Sequence, residues 1–314
     1  MSTHQTVLVT GGAGFIGSHL VKAYLDRGDR VVVVDDLSTG KRENLDSRAD
    51  FREMSITDPG LDDVLKETRP TLVNHHAAQA SVRRSVEDPA EDARINIIGS
   101  LDLLEAARKH GVGKVLFAST GGAIYGEQDY FPADEKHSKR PVSPYGAAKS
   151  AVETYLGYYY VQYGLRYTAL RYANVYGPRQ DPYGEAGVVA IFSRRLLGGR
   201  APVINGDGGQ TRDFVYVGDV VAANLAAGES DFVGAVNIGT GRETSVMELA
   251  ARMGEAAGST VEPEFAPAKA GEQRRSVLDA SMATDLLGWR PQTDLPQGLR
   301  ETLDFFRDQS ERAG

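Results

Sequence analysis

Three short stretches of the chain combine residue types that can do chemistry. In SPYGAAK, Tyr145 and Lys149 stand four residues apart and share one face of any helix beginning near Pro144. A phenol ionises near pH 10. As a base at neutral pH it needs about three units of depression, roughly 4 kcal/mol, and a neighbouring ammonium acts in that direction. In FASTGGAIYG, Ser119 and Thr120 end an apolar run and precede Gly121 and Gly122. The stretch is either a tight turn at a strand end or the place where one of those hydroxyls does chemistry. Third, VLVTGGAGFIGSHL sets Gly11, Gly14 and Gly17 between an apolar run and an amphipathic one, and Gly12, Gly14 and Gly17 satisfy G-x-G-x-x-G. A turn free of side chains lets backbone N–H groups and a helix N-terminus meet a pyrophosphate. RVVVVD then ends in Asp35, at the distance expected of an acid that binds the adenosine ribose 2′-hydroxyl, which favours NAD over NADP. Lys41 and Arg42 weaken that preference slightly. A P-loop needs lysine after its last glycine; this chain has Ser18, which argues against an NTPase.

These residues need a scaffold, and the first half of the chain supplies an alternation. Candidate strands are VLVT (7–10), RVVVV (30–34), FREM (51–54), TLVNH (71–75), KVLFAS (114–119) and YTALRY (167–172). Between them lie helical patterns: Leu20, Val21, Tyr24 and Leu25 on one face, stopped by Gly28, and Ile97, Leu101 and Leu104 on another, stopped by Gly111. A run such as VVVV is apolar on both faces, which suits a central parallel strand covered by helices above and below. The expected fold class is α/β, a doubly wound parallel sheet of Rossmann type. After about residue 175 glycine and proline become frequent and the alternation loosens. This predicts a dinucleotide-binding domain over 1–175 and a smaller mixed α/β substrate domain over 176–314, with 213–240 returning to the main sheet.

The totals agree with an enzyme-sized globular protein. The chain has 314 residues, 41% hydrophobic and 25% charged, so a full core is available. Its formal charge of −8 lacks the basic footprint of nucleic-acid binding. Without cysteine there is no disulfide or thiolate zinc site. The N-terminus runs directly into VLVT, with no basic segment followed by a long apolar one, and no stretch reads as a membrane span. A cytoplasmic location is the expectation. His75 and His76 lack partners at metal-ligand spacing and are not read as a metal site.

In combination, TGGAGFIG, Tyr145-x-x-x-Lys149 and the hydroxyl closing the preceding strand resemble the extended short-chain dehydrogenase/reductase family. DDLSTGKREN (35–44), HHAAQASVRRSVEDP (75–89), RYANVYGPRQDPYGEAGVVAIF (171–192), GDGGQTRDFVYVGDV (206–220) and LGWRP (287–291) resemble its nucleotide-sugar 4-epimerases, nearly end to end. The resemblance implies interconversion of UDP-glucose and UDP-galactose. The sugar C4 is oxidised to a ketone and reduced from the other face, with no net redox. Another sugar nucleotide (UDP-N-acetylglucosamine or UDP-glucuronate), or a reductase with net redox, is the alternative, and a non-catalytic NAD-binding regulator is a third reading. Tyr145, Lys149 and a strand-end hydroxyl would be catalytic; counting forward from Phe117 selects Thr120, counting back from Tyr125 selects Gly121, and Ser119 is the alternative hydroxyl. NAD would be held by Gly11, Gly14, Phe15, Ile16, Gly17, Asp35, Asp36, Ser38, Thr39, Gly40, Ser55, Ile56, His76, Ala77, Ala78, Gln79, Asn96, Ser119, Tyr145, Lys149 and Tyr172. The UDP-sugar would meet Ser119, Thr120, Gly121, Tyr145, Asn174, Gly187, Val188, Val203, Asn205, Arg212 and Arg274. Arg212 could instead pair with Asp213. Ser55 replaces a common adenine-binding Asp, and Lys269 a common phosphate-binding Arg, for which Arg274 or Arg275 could substitute. Gly121 and Gly122 stand where 4,6-dehydratases carry an Asp-Glu pair, and they would leave room beside a rotating sugar. Ser276 replaces a large tyrosine, which implies tolerance of N-acetyl sugars. The tyrosine row 155–163 fits core packing or a helix-on-helix homodimer.

Overall fold

In a computed structural model describing residues 4–183, 187–268 and 273–313, the apolar runs of the first half become a seven-stranded parallel sheet. In chain order the strands are β1 (Thr6–Thr10), β2 (Arg30–Asp35), β3 (Asp50–Glu53), β4 (Leu72–His75), β5 (Lys114–Thr120), β6 (Arg166–Tyr172) and β7 (Gly234–Ile238). Their order across the sheet is β7-β6-β5-β4-β1-β2-β3, so the chain winds outward from β1 in both directions. The reversal occurs between β1 and β4, beside the glycine loop, where open α/β sheets leave a crevice at the strand ends.

Both sheet faces are apolar because both are covered. Leu8, Val32, Val73, Val115 and Phe117 face one cluster, packed under the helices Gly99–Lys109 and Pro144–Tyr163. Val7, Val9, Val31, Val33 and Leu116 face the other, under Phe15–Asp26 and Val217–Glu229. Alternate valines of one strand thus point into different cores, as the unbroken VVVV run requires. The chain leaves the sheet after β6 and returns through the helix Val217–Glu229 to β7, which pairs with β6 from Gly234↔Thr168 to Ile238↔Tyr172. A third apolar cluster, including Tyr176, Phe192, Leu249, Met253 and Leu303, lies among Val188–Leu197, Val246–Ala257 and Leu295–Ala313, away from the large sheet.

One helical face differs from expectation. The turn Arg94–Ile98 is a π-helix, which adds a residue to the turn and rotates the helix Gly99–Lys109 beyond it. Of the expected stripe Leu104 is buried but Ile97 and Leu101 are only half-buried, and the buried positions beyond the turn are Leu103, Leu104, Ala106 and Ala107. The same turn carries the side chain of Asn96 inward.

Candidate active site

The glycine loop turns sharply between β1 and the helix Phe15–Asp26. Gly11 adopts φ +70°, and a Cβ there would lie 2.7 Å from Ala77 N. A Cβ on Gly17 would lie 2.1 Å from Gly11 O, so only glycine permits this approach of helix to loop. Gly14 precedes the helix in extended conformation with no side-chain cap, leaving the first-turn N–H groups of Phe15, Ile16 and Gly17 directed outward. An uncapped turn of this kind can receive an anion. At the end of β2, Asp35 Oδ2 accepts from Ala13 N–H (2.9 Å) and Oδ1 from Leu37 N–H (2.8 Å). Burial raises its pKa from the usual carboxylate range, opposed by these two N–H groups. Gly40 closes over this carboxylate, for a Cβ there would stand 2.7 Å from Oδ1. Asp36 caps Ser38 through N–H and hydroxyl, and Thr39 is exposed beside it. Arg42 is ion-paired with Glu53 and stacked on Phe51, so its charge is spoken for near the ribose position.

The ends of β4 and β6 form the inner wall. His75 is a buried clamp: Nδ1 lies 2.7 Å from Thr10 Oγ1 and Nε2 lies 2.9 Å from Ser100 Oγ. Burial pushes its pKa well below the ordinary histidine value. His76 stacks on Tyr172 with ring centroids 5.9 Å apart. The Tyr172 hydroxyl accepts from buried Asn224 (2.8 Å). Ala77 N–H and His76 N–H both donate to Thr10 Oγ1 at 3.2 Å, fixing the turn into Ala78 and Gln79. Asn96 holds Gln79 by both backbone groups, each at 2.9 Å. No group of metal-ligating side chains occurs among the described residues.

The Tyr145–Lys149 helix starts on Pro144 at its first turn, with Ser143 Oγ capping Gly146 N–H at 3.1 Å. Lys149 is 3% exposed, with Nζ 4.6 Å from the Phe117 ring centroid and 5.8 Å from that of Tyr145. Burial lowers its pKa to about 8, with Asp92 opposing. Burial, then the Asp92 charge, pushes the Tyr145 phenol up to about 12. A base role for Tyr145 thus requires a further positive charge beside it, which an oxidised nicotinamide carries.

The uncapped glycine-loop turn, the acid ending β2 and the buried Tyr–Lys pair suit NAD. The model of the NAD dependent epimerase/dehydratase family matches residues 7–239. The chain belongs to this family. It is 49% identical to the UDP-glucose 4-epimerase of Mycolicibacterium smegmatis, over 97% of this chain and 99% of that protein. Among solved structures, UDP-glucose 4-epimerase from Thermotoga maritima with UDP-glucose is 52% identical, superposes with a TM-score of 0.96, and is matched over 97% of this chain and 99% of its own. The Thermus thermophilus UDP-glucose 4-epimerase in complex with NAD is 50% identical, with a TM-score of 0.91 and coverage of 96% and 99%.

In this epimerase/dehydratase chain the two hydroxyls closing β5 have different surroundings. Ser119 is buried and donates to Glu153 Oε1 at 2.7 Å. Glu153 also accepts a two-point fork from Arg171 (2.9 and 2.7 Å) and a bond from Lys139 (3.2 Å). Burial alone would raise the Glu153 pKa, yet these bonds hold it below its ordinary value. Thr120 is half-buried, caps Ala123 N–H at 3.2 Å, and donates to no described residue. Its proton is the one left to offer. Gly121 does not leave the expected space: a Cβ there would meet Leu278 Cδ1 at 2.4 Å, whereas Gly122 has nothing within 4 Å. Open space therefore lies at Gly122, and Gly121 is a packing glycine.

The remaining expected contacts are spread over the smaller layers. Asn174 opens the strand Asn174–Tyr176, and Gly187 precedes Val188–Leu197 without a side-chain cap. Val203 and Asn205 lie in a strand paired with Glu264–Ala266. Arg212 is half-buried in Thr211–Arg212, between Thr244–Ser245 and Arg275–Ser276. Both oxygens of Asp213 are engaged by Thr240, Gly241 and Leu278. Arg274 is exposed in a fork with Asp207 (2.9 and 3.1 Å). Arg275 pairs with Glu243 over the Phe131 ring. Ser55 Oγ is turned to Thr57 Oγ1 (3.0 Å), Ile56 packs against Gly99, and Ser276 is buried. Lys269 lies outside the described residues. Sequence reasoning missed Glu153, although Tyr145, Lys149 and Glu153 fall at successive intervals of four on one helix face. It also missed Asp92, Thr10 and Arg171, whose partners are remote in sequence.

Proposed function

We propose that this chain is an NAD-dependent 4-epimerase interconverting UDP-glucose and UDP-galactose. The carrying observation is the convergence, at one end of the sheet, of the uncapped glycine-loop helix, Asp35, the Tyr145–Lys149 pair and Thr120. The chemistry that NAD supplies when bound is reversible uptake of the hydride on the sugar C4. Gly11, Gly14 and Gly17 admit the pyrophosphate, Asp35 binds the ribose, and His76 and Tyr172 wall the inner end. Tyr145 takes the proton of the sugar 4-hydroxyl and later returns it. Lys149 holds positive charge beside the phenolate. Thr120 donates to the same sugar oxygen, and Ser119 stays with Glu153. Residues 176–314 outside the returning segment 213–240 form the sugar-nucleotide domain, with Arg212 as a diphosphate ligand.

Two further readings go with this one. The chain is a homodimer: Tyr155 and Tyr158, together with Val82, Val86 and Ile98 on adjoining turns, are exposed large apolar side chains, which supports a second copy covering them. It acts in the cytoplasm; no helix among the described residues is long and apolar enough to cross a membrane. The test is product analysis with UDP-galactose and no added nicotinamide. Conversion to UDP-glucose without stoichiometric NADH consumption is expected, and at least a hundredfold loss in Tyr145→Phe. Undiminished turnover by Tyr145→Phe would overturn the mechanism.

A further inference from the structure

Behind the Tyr145–Lys149 pair lies a carboxylate with no place in the mechanism above. Asp92 is 1% exposed, on the short helix Pro89–Ala93, which packs against Pro144–Tyr163. Its Oδ1 accepts from Gln79 Nε2 and from Asn96 Nδ2, each at 2.9 Å. Its Oδ2 is buried and has no hydrogen-bond partner. A buried carboxylate oxygen left unsatisfied is costly unless a cation faces it. Among the described residues Lys149 Nζ likewise donates no hydrogen bond, and the two charges act on one another. The two opposite charges stand on packed helices, each short of a partner and with no direct ion pair between them.

We propose that Asp92 is a positioning residue for the catalytic pair: its carboxylate is the counter-charge that keeps Lys149 an ammonium, and its bonds to Gln79 and Asn96 tie the cofactor loop to the same point. The inference rests on Tyr145 and Lys149 being the proton-handling pair. The other groups around Lys149 do not take this part. His75 and His76, at the end of β4, are held neutral by burial, His76 down to about 3. Tyr145, on the same helix, is a neutral phenol in the free chain. From β5 the neighbour is the uncharged Phe117 ring. Glu153, one turn along, is committed to Ser119, Lys139 and to Arg171 of β6. Among the described residues, Asp92 is therefore the charge that stands against the burial drawing Lys149 toward neutrality. A neutral lysine cannot hold a phenolate.

The charge on Lys149 is read directly from its 13Cε shift in the full-length protein labelled with [13C]lysine, the resonance assigned by its loss in Lys149→Arg. Titration is done without substrate, with and without NAD, so its outcome is separate from that of the epimerase assignment. In Asp92→Asn the Lys149 midpoint should fall by about one unit or more. In Asp92→Glu, which keeps the charge and alters the shape, it should stay near that of the parent protein. The alkaline limb of kcat should move in step, with the KM for UDP-galactose little changed. An unmoved midpoint in Asp92→Asn, or an equal fall in Asp92→Glu, overturns the proposal. Should Asp92→Asn fail to fold, Asp92→Ser against Asp92→Glu makes the same comparison.

Discussion

Replacing Thr120 by valine keeps the shape of the side chain and removes one hydroxyl. The structure separates two consequences. As a cap, Thr120 Oγ1 accepts from Ala123 N–H at 3.2 Å, and losing a cap of this kind costs about 1 kcal/mol of stability. As a donor, its proton is uncommitted among the described residues and free for the sugar oxygen. Removing one preorganised donor of developing charge costs about 2.7–4 kcal/mol in the barrier, or roughly 10²–10³ in kcat. Ser119→Ala should behave in the opposite way. It deletes a hydrogen bond to a buried, ionised Glu153, about 1.5–3 kcal/mol of stability, while Arg171 still holds that carboxylate. Its kcat should fall by less than about tenfold. The assay is initial-rate conversion of UDP-galactose at saturation, paired with thermal melts of both variants. A hundredfold loss in Ser119→Ala with near-normal turnover in Thr120→Val would refute the assignment of roles to the two hydroxyls.

Gly17→Ala should abolish measurable NAD binding, since its Cβ would lie 2.1 Å from Gly11 O and force the loop from the helix; calorimetric titration with NAD reads the loss, and near-normal affinity would contradict a rigid cradle. Acid should destabilise the free protein early. The folded pKa of His75 lies well below its unfolded value, so the unfolded chain binds the extra proton as pH falls below about 6.5, and stability drops by up to about 1.4 kcal/mol per pH unit. Urea unfolding between pH 7 and 5 should show that slope, and its absence in the parent protein would count against a neutral buried clamp. Val86→Glu, at a position 62% exposed in the single chain, should leave the monomer fold intact and halve the mass seen by light scattering; an unchanged mass places the dimer contact elsewhere.

Local physics made much of the protein legible in its sequence. The glycine loop, the unbroken valine run and Asp35 are short-range features: each needs only a strand, a turn and a helix start, and each lies where the pattern expects it. Tyr145 and Lys149 depend on helix periodicity alone. The π-turn at Arg94–Ile98 was not legible, because apolar spacing does not report an extra residue in a helical turn. The choice between Ser119 and Thr120 also lay beyond sequence, since both are hydroxyls at one strand end. It turned on Glu153 arriving from the helix and Arg171 from the neighbouring strand, which together claim Ser119. Gly121 and Gly122 look alike in sequence; Leu278, far along the chain, fills the space at one and leaves the other open. Residue type and spacing thus determined which chemistry the chain carries. On the proposed mechanism the hydroxyl, the glycine and the buried charge that serve it are set by long-range packing, because those choices depend on neighbours that only the folded chain brings together.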